Sequence, residues 1–220
     1  DTEFLYGEPV TVFAFEDDEL VDPVDDTVTV REKYWAWVQS AVDGYVGYVQ
    51  HRALDDPGPP PTHVVSVPAG LIYEASGTSA FVHGPLPMGA KVRVLEDGVD
   101  EEVFLQVGQT SRYKSASDEH GRFCRIDDGV FMPTHHLRPI GEGAADWVAI
   151  AERFVGTPYL WGGKTVRGID CSGLIQLALQ VSGRSAPRDS DMQAAELGEA
   201  LPSDEPLKRG DLIFWKGHVG

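Results

Sequence analysis

The sequence predicts an α+β chain: two small β-barrels followed by a domain that mixes helices with strands. Three observations carry this. Short β-branched and aromatic runs fill the first two thirds, a proline-rich stretch (Asp55-Asp56-Pro57-Gly58-Pro59-Pro60-Pro61) divides them, and helical spacing of apolar residues begins only near Trp147. Short runs of that kind bounded by Gly, Pro and Asp are strand signals, whereas recurrence at i, i+3, i+4 and i+7 is a helix signal.

The first part spans residues 1–55, with strands expected at 9–13, 27–30, 34–39 and 44–49. Its acidic runs, Glu16-Asp17-Asp18-Glu19 and Asp22 to Asp26, read as a solvated loop inserted in the barrel. Residues 56–62 form a stiff linker of polyproline type. The second part, residues 63–140, repeats the character of the first, with strands expected at 64–67, 91–95, 103–107, 123–126 and 130–132. Both parts close alike. Asp43-Gly44 leads through Tyr45, Val46 and Tyr48 to His51 and Leu54, and Asp128-Gly129 leads through Val130 and Phe131 to His136 and Leu137.

The third part, residues 141–220, follows Arg138-Pro139-Ile140-Gly141-Glu142-Gly143. Trp147, Ile150, Ala151 and Phe154 mark an amphipathic helix that ends before Gly156 and Pro158. A glycine-rich loop comes next. Leu174, Ile175, Leu177, Ala178 and Val181 then space a second helix, and a strand is expected over 212–215.

Composition bounds the function. Lys and Arg number 18 against 35 Asp and Glu, a formal charge of −17, which opposes binding to nucleic acid or to anionic lipid surfaces. An apolar content of 42% is enough for real cores. The two cysteines, Cys124 and Cys171, form no metal-ligand spacing and no disulfide framework, so both thiols are expected free and neither metal nor cofactor is implied. No run approaches the ~18 apolar residues of a membrane span. No signal peptide is visible at residue 1, although the abrupt start leaves a removed leader open.

Chemistry concentrates at Asp170-Cys171-Ser172-Gly173. Gly168 and Asp170 interrupt any helix before Cys171, which places the thiol in the first helical turn, where free N–H groups and the helix dipole favour a thiolate and can cradle an oxyanion. His218, just past the expected strand 212–215, is the candidate base, and the pairing must be spatial. A buried structural thiol is the alternative for Cys171. Against it stand the polar neighbours Asp170 and Ser172 and the preceding loop Thr157-Pro158-Tyr159-Leu160-Trp161-Gly162-Gly163, which is too rich in glycine and aromatics for a simple connector.

Other motifs read plainly. Gly163-Lys164-Thr165 imitates the tail of a phosphate-binding loop, but Pro158 stands where that pattern requires glycine. Arg209-Gly210-Asp211 reads as a tight turn opening the strand that follows. His135 and His136 on a strand would face opposite ways and could not easily share a metal. Cys124, between Phe123 and Arg125, reads as a small core or interface residue.

Four blocks then recur in order. Gly156-Thr157-Pro158-Tyr159-Leu160-Trp161-Gly162-Gly163, Gly168-Ile169-Asp170-Cys171-Ser172-Gly173-Leu174, Pro187-Arg188-Asp189-Ser190, and Arg209 to Trp215 with Gly217-His218-Val219-Gly220 together resemble the NlpC family of papain-like cell-wall peptidases, from about residue 144 onward. The closing strands of the first two parts are similar to bacterial SH3-like domains, two of which precede the catalytic domain in some members. The resemblance implies two SH3-like barrels and a papain-like domain, incomplete at both chain ends: the first barrel lacks its N-terminal strand, and the peptidase lacks its central strands.

The implied activity is cysteine-dependent hydrolysis of the γ-D-glutamyl bond to a diamino acid in murein stem peptides, with Cys171 as nucleophile, His218 as base and a third, orienting polar residue beyond Gly220. Asp170 and Tyr45 would grip a free amino terminus, Ser172 and Ser190 would lie near the D-glutamyl carboxylate, and Arg188 would supply charge there. Local alternatives stand beside these roles: a helix cap for Asp170, compatible with the first; a barrel-core aromatic for Tyr45; turn or cap residues for the two serines; an exposed loop for Arg188. The expected setting is peptidoglycan recycling or turnover in the cytoplasm, or in the periplasm or wall if a leader preceded residue 1. The competing reading is a non-catalytic wall-binding scaffold with a degenerate papain-like domain, and retention of both Cys171 and His218 speaks against it. An amidase or acyltransferase on the same fold is a third reading. No motif speaks to oligomeric state.

Overall fold

A computed structural model describes residues 2–21, 28–100, 103–104, 110–111, 122–144, 146–202 and 204–220. The chain forms two compact units, Glu8–Pro59 and Thr2–Gly7 together with Pro60–Gly220. The break falls inside the proline-rich linker.

The first unit is a three-stranded antiparallel sheet of β1 (Val10–Val21), β2 (Val28–Ser40) and β3 (Val46–Gln50), in that order. Alternation sets its faces. Ala36, Val38 and Ser40 are buried, with Trp35 and Trp37 between them on the other face. Trp37 pairs with Tyr48 across the β2–β3 ladder, their ring centroids 4.8 Å apart.

Two sequence expectations change here. Residues 28–30 and 34–39 belong to one strand, whose pairing with β1 shifts register between Arg31 and Trp35 and does not end there. The acidic residues 16–19 lie within β1, with Asp18 opposite Arg31 and Glu19 opposite Val30. Ladder hydrogen bonds are backbone bonds, so a charged side chain does not end them. Residues 22–26 lie outside those described.

The second unit opens with β4 (His63–Val65), β5 (Ala69–Tyr73), β6 (Val82–Pro87), β7 (Lys91–Val92), β8 (Val94–Asp100), β9 (Val103–Phe104), β10 (Thr110–Ser111), β11 (Arg122–Ile126), β12 (Phe131–Pro133) and β13 (Leu137–Pro139). Apart from the β9–β10 hairpin they form two sheets, ordered β6-β5-β12-β11-β8 and β13-β4-β7. Val65 and Val92 from one sheet meet Cys124, Ile126 and Met132 from the other in a shared core. Expected residues 105–107 lie outside those described.

Cys124 is a core residue, as its sequence context suggested. Burial pushes its thiol up to about 11, partly opposed by a hydrogen bond with Thr134. His135 and His136 differ from expectation: they sit in a 3-10 turn, Thr134–His136, with rings 4.4 Å apart, so they meet edge to face instead of pointing to opposite sides.

The helical part follows with α1 (Trp147–Glu152), the small hairpin β14 (Lys164–Thr165) and β15 (Gly168–Ile169), α2 (Cys171–Val181), α3 (Ser190–Glu196), and the hairpin β16 (Phe214–Trp215) and β17 (His218–Val219). Asp146 caps α1 by accepting the Ala149 N–H at 3.1 Å. Arg209, in the turn foreseen before β16, holds Asp146 and Glu152 and so fastens that turn to α1.

No wall separates the second β-region from the helices. Met88 joins Leu5, Ile150, Phe154, Leu177 and Val181 in one cluster. Leu5 corrects the assignment of residues 1–55 to one domain: Thr2–Gly7 belong to the second unit, with the Tyr6 carbonyl accepting the Lys91 N–H at 2.8 Å. Leu5 goes where apolar surface awaits it, which is the unit with the larger core.

Met88→Ala removes the side chain that links the two halves of this core, and is expected to cost about 2–5 kcal/mol. Denaturant unfolding should show one cooperative transition at lower midpoint for the second unit. An unchanged midpoint would mean that Met88 does not hold the halves together.

Candidate active site

Cys171 is the first residue of α2, and Asp170 is its N-cap, so the thiol lies in the first helical turn as the sequence places it. Asp170 Oδ1 accepts the Gly173 N–H at 2.7 Å, and its backbone carbonyl takes the Leu174 N–H. The N–H groups of Cys171 and Ser172 therefore have no partner within the helix. Helix α2 buries Ile175, Leu177, Ala178, Leu179 and Val181, while Cys171 itself is half-buried.

The glycine-rich loop is laid directly on this helix start. Leu160 donates to the Ile169 carbonyl, Ile169 to Pro158, and Asp170 to Gly163. Close approach explains the glycines: a Cβ on Gly173 would lie 2.5 Å from the Gly163 carbonyl oxygen, and one on Gly163 would lie 2.4 Å from that of Gly168. The loop presents Tyr159, 59% exposed, with its hydroxyl 3.9 Å from Cys171 Sγ. Burial, then the hydrogen bond and charge of Cys171, push the Tyr159 phenol up from its ordinary value. Leu160 and Trp161 extend an exposed apolar edge beside it. The sequence reading noted this aromatic loop but did not name Tyr159 as a site residue.

His218 lies on β17 opposite Trp215, their ring centroids 5.8 Å apart. Its neighbour Val219 is buried with Ile175, Leu179 and Ala186, and Cys171 packs partly against the same cluster. The strand that carries the imidazole thus packs on the helix that carries the thiol.

Beneath the helix start lies a buried ion pair. Arg188, 2% exposed, donates through Nη2 to Asp170 Oδ2 at 2.7 Å and through Nη1 to Asp170 Oδ1 at 3.0 Å and Ser172 Oγ at 2.9 Å. Its Nε reaches Thr2 Oγ1 at 2.8 Å. Asp170 also accepts the Gly162 N–H at 2.8 Å. Burial alone would raise the Asp170 pKa, but the Arg188 hydrogen bonds, then those of Gly173 and Gly162, hold it below the ordinary carboxylate value.

These contacts revise several expected roles. Arg188 is not on an exposed loop, and its charge is matched by Asp170, not open to a carboxylate. Ser172 is buried with its hydroxyl committed to the pair. Asp170 caps the helix, and a substrate ammonium would have to share oxygens that protein donors already occupy. Ser190 opens α3, half-buried. Tyr45 belongs to the first unit, in the β2–β3 turn, where its N–H meets Asp43 Oδ1 at 3.1 Å. Sequence reasoning missed Gln193, fully buried, which donates to the carbonyls of Ser172 and Pro187, both at 2.9 Å, and ties α3 to this centre. No group of three or more His, Cys, Asp or Glu among the described residues has metal-binding geometry, and no helix among them is long and apolar enough to cross a membrane.

Comparison with known proteins follows the same division. Residues 156–220 match the NlpC/P60 family, and residues 26–54 match the bacterial dipeptidyl-peptidase Sh3 domain. The chain is 30% identical to the gamma-D-glutamyl-L-lysine dipeptidyl-peptidase of Bacillus subtilis, over all of this chain and 65% of that protein. It is 28% identical to the protein of that name from Bacillus cereus, over 88% of this chain and 58% of that one. The chain therefore spans about three fifths of these curated relatives. In fold it is similar to the crystal structure of an NlpC/P60 family protein from Bacillus cereus, at a TM-score of 0.65 and 24% identity, covering 100% of this chain and 68% of that one.

The ion pair makes acid sensitivity a test. A carboxylate held below its unfolded value contributes stability above about pH 4 and loses it as pH falls through the folded value. Asp170→Asn, which leaves Arg188 buried without its counter-charge, is expected to cost about 3–5 kcal/mol near neutral pH. The gap to wild type should narrow in acid, as the native carboxyl protonates. Denaturation across a pH series measures this, and a gap constant from neutral to acid pH would remove the pair from the stability of the site.

Proposed function

We propose that this chain, whose residues 156–220 are an NlpC/P60 domain, works as a cysteine peptidase that hydrolyses the γ-D-glutamyl bond to a diamino acid in murein stem peptides. The observation that carries the reading is Cys171 at the capped start of α2, on the helix against which the His218 strand packs. In this reading the first unit and the β-region of residues 63–140 are SH3-like barrels, and residues 141–220 are part of a papain-like domain.

His218 takes the Cys171 proton, and the thiolate attacks the γ-carbonyl carbon. The resulting oxyanion meets the N–H groups of Cys171 and Ser172, which α2 leaves without internal partners. Collapse expels the diamino acid amine with a proton from His218. Water, deprotonated by His218, then attacks the thioester and releases the D-glutamyl carboxylate and the thiol. Tyr159, with its hydroxyl facing Cys171 Sγ, is placed to donate to the same centre. The imidazole makes no hydrogen bond with a described residue, and the polar group that would accept its second ring N–H is proposed to lie outside them.

Two relatives are named dipeptidyl-peptidases, and release of a dipeptide implies counting from a free amino end. We extend that to this chain, with Asp170 facing the substrate ammonium and Ser190 nearer the D-glutamyl carboxylate. A charge of −17 offers no attraction to anionic wall polymers, which favours recycled fragments, in the cytoplasm, over intact wall.

Cys171→Ala is expected to abolish hydrolysis of L-Ala-γ-D-Glu-L-Lys in a folded protein, while Cys124→Ala leaves turnover nearly unchanged. Iodoacetamide should label Cys171 and spare Cys124, whose thiol burial pushes up to about 11. Turnover by a folded Cys171→Ala protein would sink the peptidase reading.

Acetylating the amino terminus of the same tripeptide removes its ammonium and should lower kcat/KM on the order of 100-fold. Comparable rates on free and acetylated tripeptide would exclude amino-end recognition without touching the assignment of the nucleophile.

A further inference from the structure

A cavity of about 420 Å³ lies at the seam between the second β-region and the helices, lined by Ser66, His135, Leu137, Arg138, Ile150 and Arg153 among others. Two arginines enter it from different elements. Arg138 comes from β13 and Arg153 from the C-cap of α1. Each spends one nitrogen on a backbone carbonyl: Arg138 Nη2 on Val181, and Arg153 Nη1 on Ser66 at 2.8 Å.

Neither forms an ion pair with a described residue, in a chain where 35 acids outnumber 18 bases. Such an excess makes carboxylate partners easy to supply, as Arg188 and Arg209 show. Glu152, next to Arg153 in sequence, is held by Arg209 instead. Burial and the charge of Arg153 push Arg138 down from its ordinary pKa, with Glu142 opposing. The Arg138 Nε is buried without a hydrogen-bond partner. Two like charges thus share a cavity wall, and each guanidinium carries donors besides the one nitrogen it spends on a carbonyl.

We propose that this cavity is a binding site for a compact oxyanion, a carboxylate or a phosphate, clasped between Arg138 and Arg153. Planar guanidinium forks match both anions by paired, charge-assisted hydrogen bonds, and an anion between them turns mutual repulsion into attraction. Ile150 and Leu137 supply the apolar part of the wall, and the size of the cavity suits a small ligand. The site stands apart from Cys171, and its occupancy does not depend on the peptidase reading.

The test is calorimetric titration of the intact chain with inorganic phosphate and, separately, with succinate, at ionic strength fixed by chloride. Saturable one-to-one binding of at least one anion is expected, and the preferred anion tells a phosphoryl ligand from a carboxylate. Arg153→Gln is the informative variant, because Arg153 is exposed and lacks an ion pair, so the fold is retained; circular dichroism checks this. It should weaken binding about tenfold, as loss of a charge-assisted donor pair implies, and Arg153→Lys should recover part of that. The anion should also raise the unfolding midpoint of wild type more than that of Arg153→Gln. Absence of saturable binding by both anions, or equal affinity in wild type and Arg153→Gln, overturns the proposal.

Discussion

The buried pair of Asp170 and Arg188 is the constraint on which the candidate site depends. Removing two charges from water is costly, and their attraction compensates only when every remaining donor and acceptor is matched. Here they are matched by pieces distant in sequence. Thr2 comes from the N-terminal segment, Gly162 from the aromatic loop, and Gly173 and Ser172 from the helix. Gln193 then fixes the Ser172 and Pro187 carbonyls on either side of the pair. A well-packed apolar cluster would hold these segments as firmly, but apolar contacts slide. A bidentate ion pair sets the height and rotation of the first turn of α2, and so the direction of the Cys171 side chain.

That geometry constrains the loop above it. With Asp170 fixed, the chain before it must cross the start of α2 at backbone contact distance, which only glycine allows at 163 and 173. The crossing turns Tyr159, Leu160 and Trp161 outward beside the thiol, with Trp161 71% exposed. Large apolar side chains held out in water by a rigid support are what a peptide-binding edge requires, because their burial is deferred until a ligand arrives. The exposed aromatics and the buried ions are thus two consequences of one arrangement.

How much was readable in advance varied with how local the signal was. The start of α2 was readable because capping and helical spacing act within a few residues, and Asp170 with Gly173 satisfies both. Arg188 was not. A loop arginine after Pro187 carries no sign of burial, and its partner lies on another element. The segment Thr2–Gly7 was misassigned for the same reason: Leu5 is one apolar residue, and only the assembled core shows its place. In the first unit, the gap between the strands expected at 27–30 and 34–39 is a shift in register against β1 within one strand, which depends on the partner strand. Strands β5 and β6 were not foreseen at all. Gly70, Gly84, Pro85 and Pro87 are poor strand formers, and their pairing is set by neighbours instead.

His218 is positioned by a different rule from Cys171. In β17 successive side chains alternate, so burial of Val219 among Ile175, Leu179 and Ala186 obliges His218 to project from the other face. The turn at Lys216-Gly217, with Gly217 at φ 74°, fixes the register by setting Trp215 opposite His218 and Phe214 opposite Val219. Ile213 and Gly220 exchange two further backbone hydrogen bonds and close off slippage. A slip of one residue would bury the imidazole and expose the valine, which the apolar cluster opposes. One side of the site is therefore set by electrostatics and the other by apolar register, and the two converge on α2, because the helix that Asp170 caps is also the surface that Val219 covers.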